Sequence, residues 1–140
     1  MGEKISIEFK SELSELGKLA QIVAEFGQRH HLSSQALFHT NLALEEILTN
    51  VISYAYDDSK EHQIIVCLLV EQGELTVEVE DDGRPFNPLE APEPDIQKPL
   101  EERPIGGLGI HLVRNLMDRL EYRRQDGRNL LIMMKKVIGG

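Results

Sequence analysis

Cysteine is nearly absent. Cys67 is the only one in 140 residues, so the chain can form no internal disulfide and no cluster of thiolate metal ligands. Its place in the apolar run Ile64 to Val70 marks it as a small core residue. Positive charge is also scarce: 15 Lys and Arg against 24 Asp and Glu give a formal charge of -9. Nucleic acid is bound by neutralising phosphates, and an anionic membrane repels an acidic surface, so neither is expected as a direct partner. No apolar stretch approaches the length of a membrane span, and Glu3 and Lys4 interrupt the apolar region that a signal peptide would need. These absences point to a cytoplasmic protein. Internal repeats are lacking too, and the length is that of one domain, residues 1–140. An acidic chain can still hold a triphosphate, provided that backbone N–H groups and a bound cation do the holding.

Proline is confined to one segment. All six prolines lie between Arg84 and Pro104. That stretch is too long for a routine connection, and its charge and proline content suit either a functional lid or a floppy surface excursion. Around it the periodicities are regular. Ile5, Ile7 and Phe9 alternate as in an opening strand. Leu16, Leu19, Ala20, Val23 and Phe26 keep helical spacing after Ser11, Ser14 and Glu15, and a break is expected from Gly27 to Leu32. Ser33 or Ser34 caps a long second helix that reaches about Tyr56. Two strands follow, Ile64 to Val70 and Leu75 to Val79, turned at Gln72-Gly73. Gly107 to about Leu120 reads as a third helix. Leu120 to Arg124 and Leu130 to Lys136 read as a closing hairpin turned at Asp126-Gly127.

Three short segments carry candidate chemistry. In the second helix, Glu46 and Asn50 are four apart and share a face, whereas Glu45 points elsewhere, to the surface. An Asn oxygen is a hard neutral ligand suited to Mg²⁺, and a nearby carboxylate can accept a proton from an attacking hydroxyl or water. A solvated polar helix face is the plain alternative. Next, Asp81-Asp82-Gly83 ends a strand. A carboxylate there can accept a hydrogen bond from the adenine 6-amino group, where guanine would present a repelling carbonyl, and Gly83 would let the backbone approach the ring. The same string also makes an ordinary turn. Finally, Gly106, Gly107 and Gly109 stand at the start of the third helix, where free N–H groups attract phosphate. No Lys-Ser or Lys-Thr follows them, and they miss the dinucleotide spacing, so neither of those loops is present. A flexible start to the helix is the alternative. His30 and His31 have no partners at metal-ligand spacing. His111 suits packing or a place near a phosphate. Arg103 is either a reach to a terminal phosphate or a solvated charge.

Taken in order, Glu46-x-x-x-Asn50, Asp81-x-Gly83 and Gly107-x-Gly109 resemble the N, G1 and G2 boxes of the GHKL ATPase superfamily. Pro85-Phe86-Asn87-Pro88 and the run Gly106-Gly107-Leu108-Gly109-Ile110-His111-Leu112-Val113-Arg114 narrow the resemblance to the anti-sigma-factor serine kinase branch, the RsbW and SpoIIAB family. It covers nearly the whole chain. It implies an α+β Bergerat fold, a two-layer sandwich in which a mixed sheet carries helices on one face and ATP sits between helix and lid. It implies Glu46 as general base and Asn50 as Mg²⁺ ligand. The implied nucleotide contacts are Asn50, Asp81, Gly83, Phe86, Arg103, Gly106, Gly107, Leu108, Gly109, Ile110 and His111. The cofactors would be ATP and Mg²⁺, and the substrate a serine on a STAS-type anti-sigma-factor antagonist. A sigma factor would be the other partner, and the chain would form a homodimer. Ile105 stands where kinase G2 boxes often begin with a further glycine. Three activities fit these residues: a protein-serine kinase, an ATP-loaded anti-sigma or adaptor protein without kinase activity, and the ATP-binding half of a split histidine kinase. No helix pair carrying a phosphoacceptor His precedes the site, which ranks the last of these lowest.

Overall fold

Residues 3–55, 62–87 and 107–137 are described by a computed structural model of the chain, with the backbone alone described at residues 54 and 107–110. Most of the proline-rich segment, with Arg103 and Gly106, lies outside the described residues. Strand β1 (Glu3–Lys10) is followed by a short 3₁₀ turn at Leu13–Glu15 and by helices α1 (Leu16–Arg29) and α2 (Ser34–Tyr54). Strands β2 (Gln63–Glu71) and β3 (Glu74–Asp81) come next, then α3 (Gly107–Leu116), β4 (Arg119–Gln125) and β5 (Arg128–Lys136).

Local chemistry explains most of these boundaries. Ser33 adopts extended backbone and its hydroxyl accepts the Ala36 N–H at 3.0 Å, which makes it the N-cap of α2. Gln72-Gly73 and Asp126-Gly127 both have two consecutive positive φ angles, 53° and 77°, then 52° and 75°. That is the twist a two-residue hairpin demands, so β2–β3 and β4–β5 are joined at the expected turns. Gly27, expected to break the first helix, lies inside α1. A Cβ there would stand 2.8 Å from Leu37 Cδ1 and 2.9 Å from its Cγ, so this glycine serves the close approach of α1 to α2. The turn that ends α1 comes at His30 and His31, where His31 takes a left-handed φ of 56°. α3 stops at Leu116, because Leu120 already belongs to β4.

The sheet order is β1-β2-β3-β5-β4. All four pairings are antiparallel, so among the described residues the sheet is not the mixed one that the resemblance implied. β4 does run in the direction of β3, but β5 lies between them and pairs with both. Alternation places Phe9, Ile64, Asp81, Asn129 and Arg124 in one row across the strands, and Ile7, Val66, Val79, Leu131 and Tyr122 in the next. Most of these residues pack with Leu19, Val23 and Phe26 of α1, Leu44, Ile47, Leu48 and Val51 of α2, and Val113 of α3 in one core. Each fully buried aliphatic side chain there is worth roughly 1.5–3 kcal/mol. The helices cover only this face. Cys67 points to the other one, half-buried beside Ser6, and is not a core residue.

Candidate functional site

Two rows of that sheet and one face of α2 enclose a small cavity. Its apolar walls are Ile47 and Val51 of α2 with Val79 and Leu131 of the sheet; Phe86 and Tyr122 supply rings, and Asp81 and Asn129 the polar groups. Its volume is about 10 Å³, room for at most one water, whereas small-molecule sites span roughly 300 Å³ or more. A purine would therefore need one wall to move. Larger grooves, of about 350 Å³ between β1 and α1 and about 240 Å³ between α1 and α2, contain none of the expected site residues. Chemistry, not size, singles out the small one, because two buried polar residues, Asp81 and Asn129, line it.

Asp81 closes β3 at the inward-facing position that alternation gives it and is 2% exposed. Burial pushes its carboxyl above the ordinary carboxylate value, opposed by hydrogen bonds from Asn129 and from the Gly83 N–H. Both donors reach the same oxygen, Oδ1, at 2.9 Å. Asn50 is 3% exposed, and its amide nitrogen has no hydrogen-bond partner among the described residues. An unmet buried amide is costly, and a functional site is one place where such a cost persists. Glu46, one turn earlier and about 6 Å along the helix axis, is half-buried, whereas Glu45 is exposed, as expected.

Gly83 also has a packing task that the sequence did not announce. A Cβ there would meet the end of α2: it would lie 2.8 Å from Ala55 Cβ, 2.9 Å from Ala55 C, and nearer still to Ala55 O. The next residue's N–H donates to that same Ala55 carbonyl, Arg84 N to Ala55 O at 2.8 Å. Gly83 thus lets the segment after β3 seat on the C-terminal end of the helix that carries Glu46 and Asn50. Gly107 and Gly109 lie within the first turn of α3 rather than before it, and α3 packs against α2. Leu108 and Ile110 share that turn. His111 follows on an exposed position, where its carbonyl accepts from Asn115 Nδ2 at 2.8 Å.

A family model of the histidine kinase-like ATPase domain matches residues 9–135. The chain belongs to that family. Among curated relatives of this ATPase domain, the serine/threonine-protein kinase BtrW of Bordetella bronchiseptica is 30% identical over 105 residues, 75% of this chain and 74% of that one. The anti-sigma F factor of Clostridium acetobutylicum is 26% identical over 142 residues, covering 95% and 92%. The serine-protein kinase RsbW of Listeria monocytogenes is 29% identical over 145 residues, covering 99% and 89%. A crystal structure of the RsbU and RsbW domains of a Mycobacterium tuberculosis protein superposes with a TM-score of 0.65 at 13% identity. It covers 96% of this chain and 32% of that one, and it bears on the fold alone.

Three residues of the ATPase domain's cavity region escaped the sequence reading: Asn129, Tyr122 and Arg124. Asn129 sits at the inward position of the alternation Asn129, Leu131, Met133, and a polar residue in an apolar stripe was the available signal. No helix among the described residues is long and apolar enough to cross a membrane.

Proposed function

We propose that this chain is an ATP-dependent protein-serine kinase of the anti-sigma-factor type, acting in the cytoplasm on a STAS-type antagonist in a partner-switching pathway. Its other partner would be a sigma factor, and the working form a homodimer. The observation that carries the reading is the pairing on α2 of a half-buried carboxylate, Glu46, with a buried amide, Asn50, whose nitrogen has no partner among the described residues, on the helix whose Ile47 and Val51 wall the cavity that also holds Asp81 and Asn129. The kinase names of the relatives support the same reaction.

The residue roles follow from chemistry. Adenine enters the cavity with its 6-amino group donating to Asp81, and guanine is refused because its carbonyl would face that carboxylate. The N–H groups of the first turn of α3, with Gly106, Gly107 and Gly109, receive the phosphates, and Arg103 reaches the terminal one. The buried amide of Asn50 fits Mg²⁺, since either amide atom can be presented by a flip and the oxygen is a hard ligand. Bound there, the ion would neutralise phosphate charge. Glu46 accepts the proton of the seryl hydroxyl as that oxygen bonds to the γ-phosphorus and ADP leaves with the bridging oxygen. Transfer of labelled phosphate from ATP to a cognate STAS-type antagonist tests this. Glu46→Gln is expected to bind ATP normally and to transfer at least about 100-fold more slowly. Transfer at the wild-type rate would remove Glu46 from its role. Nucleotide-dependent capture of the partner with no phosphoserine would make the chain an adaptor instead.

A further inference from the structure

Asn129 is as buried as Asn50, at 3% exposure, but every polar atom of its side chain is engaged. Its Oδ1 accepts from the Tyr122 hydroxyl, from Arg124 Nη1 at 3.1 Å and from the Phe86 N–H at 3.2 Å. Its Nδ2 donates to Asp81 Oδ1 at 2.9 Å and to the Arg84 carbonyl at 2.8 Å. The orientation of this amide is dictated by its neighbours. A guanidinium and a backbone N–H can only donate, and a carbonyl can only accept, so a flipped amide would face donor with donor and acceptor with acceptor.

The consequence falls on Asp81. Its Oδ1 receives two N–H groups, from Gly83 and Asn129, while Oδ2 receives none among the described residues. The carboxylate is therefore clamped by one oxygen and, among the described residues, unclaimed at the other. Asn129 and Asp81 are paired in the β3–β5 register, so the clamp is mounted on two adjacent strands, and Arg124 follows in the same row from β4. The same amide grips the backbone on both sides of Pro85, through Arg84 O and Phe86 N. One side chain thus sets both the direction of the base-reading carboxylate and the position of the ring that walls the cavity.

We propose that Asn129 is the positioning residue for base recognition: it holds Asp81 Oδ1 so that Oδ2 alone meets the exocyclic amine of adenine, and it registers Phe86 against the same base. This inference rests on the ATP reading above. A plain structural polar plug would support the strand ends equally for any nucleotide, so the discriminating quantity is a ratio. The probes are ATP and purine riboside triphosphate, which lacks the 6-amino group, titrated calorimetrically with Mg²⁺ into the full chain.

Wild type should prefer ATP by about tenfold or more, the cost of leaving a buried acceptor unpaired. Asn129→Ala should bring that ratio down to about two, with most of the loss on ATP. If Asn129→Ala weakens both nucleotides by the same factor, the residue only supports the fold and the proposal is overturned. If wild type binds neither nucleotide at millimolar concentration, the ATP reading itself fails, which is a different result. Should Asn129→Ala lose its cooperative melt, Asn129→Asp decides. There, two carboxylates would stand in hydrogen-bond contact and share one proton, which reproduces the donor to Asp81 Oδ1 only while it is held. ATP affinity of Asn129→Asp is then expected to fall as pH rises from about 6 to 8, more steeply than in wild type. Parallel pH profiles would overturn the proposal as well.

Discussion

Replacing Gly83 by alanine tests whether the segment after β3 is seated on α2 as described. The φ of Gly83 is not left-handed, so alanine is not forbidden by backbone conformation; the cost is contact. The new Cβ would lie 2.8 Å from Ala55 Cβ and 2.9 Å from Ala55 C, and to restore ordinary van der Waals distances the segment must withdraw by more than about half an ångström. Overpacking of this kind costs about 1–3 kcal/mol. The withdrawal also stretches the Arg84 N to Ala55 O hydrogen bond, now 2.8 Å, and losing it adds about 1 kcal/mol. The sum is about 2–4 kcal/mol, a large part of the ~5–15 kcal/mol that holds a domain together. At ~3–4 °C per kcal/mol, the melting temperature should drop by roughly 6–16 °C. Asp81 Oδ1 also accepts the Gly83 N–H, so Mg·ATP affinity should fall alongside stability. Differential scanning fluorimetry and calorimetric titration read the two. A variant that melts within about 2 °C of wild type and binds nucleotide equally well would show that Gly83 is not pressed against Ala55.

Two further variants give expected outcomes. Asp81→Asn should be at least as stable as wild type at neutral pH while binding ATP about 100-fold more weakly, because the amide keeps an oxygen for Gly83 and Asn129 but turns a donor toward the adenine amine. The sign with pH follows from burial: the folded carboxyl holds its proton above the ordinary value of 3.8, so between that value and its raised one the folded state binds more protons than the unfolded. Wild-type stability therefore falls as pH rises through that window and is level above it, and the stability advantage of Asp81→Asn should grow over the same window. Melting curves from about pH 4 to 7.5 that run parallel for the two proteins would contradict the buried-carboxylate account. Gly17→Ala is the opposite case to Gly83: Gly17 is exposed in the first turn of α1 and a Cβ there meets nothing within 4 Å, so urea unfolding should show a gain of about 0.5–1 kcal/mol.

Part of the candidate site's geometry was legible from residue spacing because it is local. Glu46 and Asn50 share a face by helical periodicity alone, and Asp81 ends a strand whose inward positions alternate. Gly83 and Gly27 were harder. A glycine reads as a turn or a break in the absence of a partner, and their partners, Ala55 and Leu37, lie on other elements. Asn129 was missed because its meaning depends on what stands beside it, and Asp81 is 48 residues away in sequence.

By itself the sequence determined the main elements, a serine cap at 33 or 34, the places of the two hairpin turns and the order of the three motif segments. Each of these is an energy between residues a few positions apart, such as a hydrogen bond to the third N–H or a φ that suits glycine. Only the tertiary structure decided that β5 lies between β3 and β4, that Asp81, Asn129 and Arg124 share a row, and that the Gly83 segment rests on the end of α2. Strand order and register arise from how whole faces pack, and a slip of one residue would turn Asn129 away from Asp81 without changing any local preference.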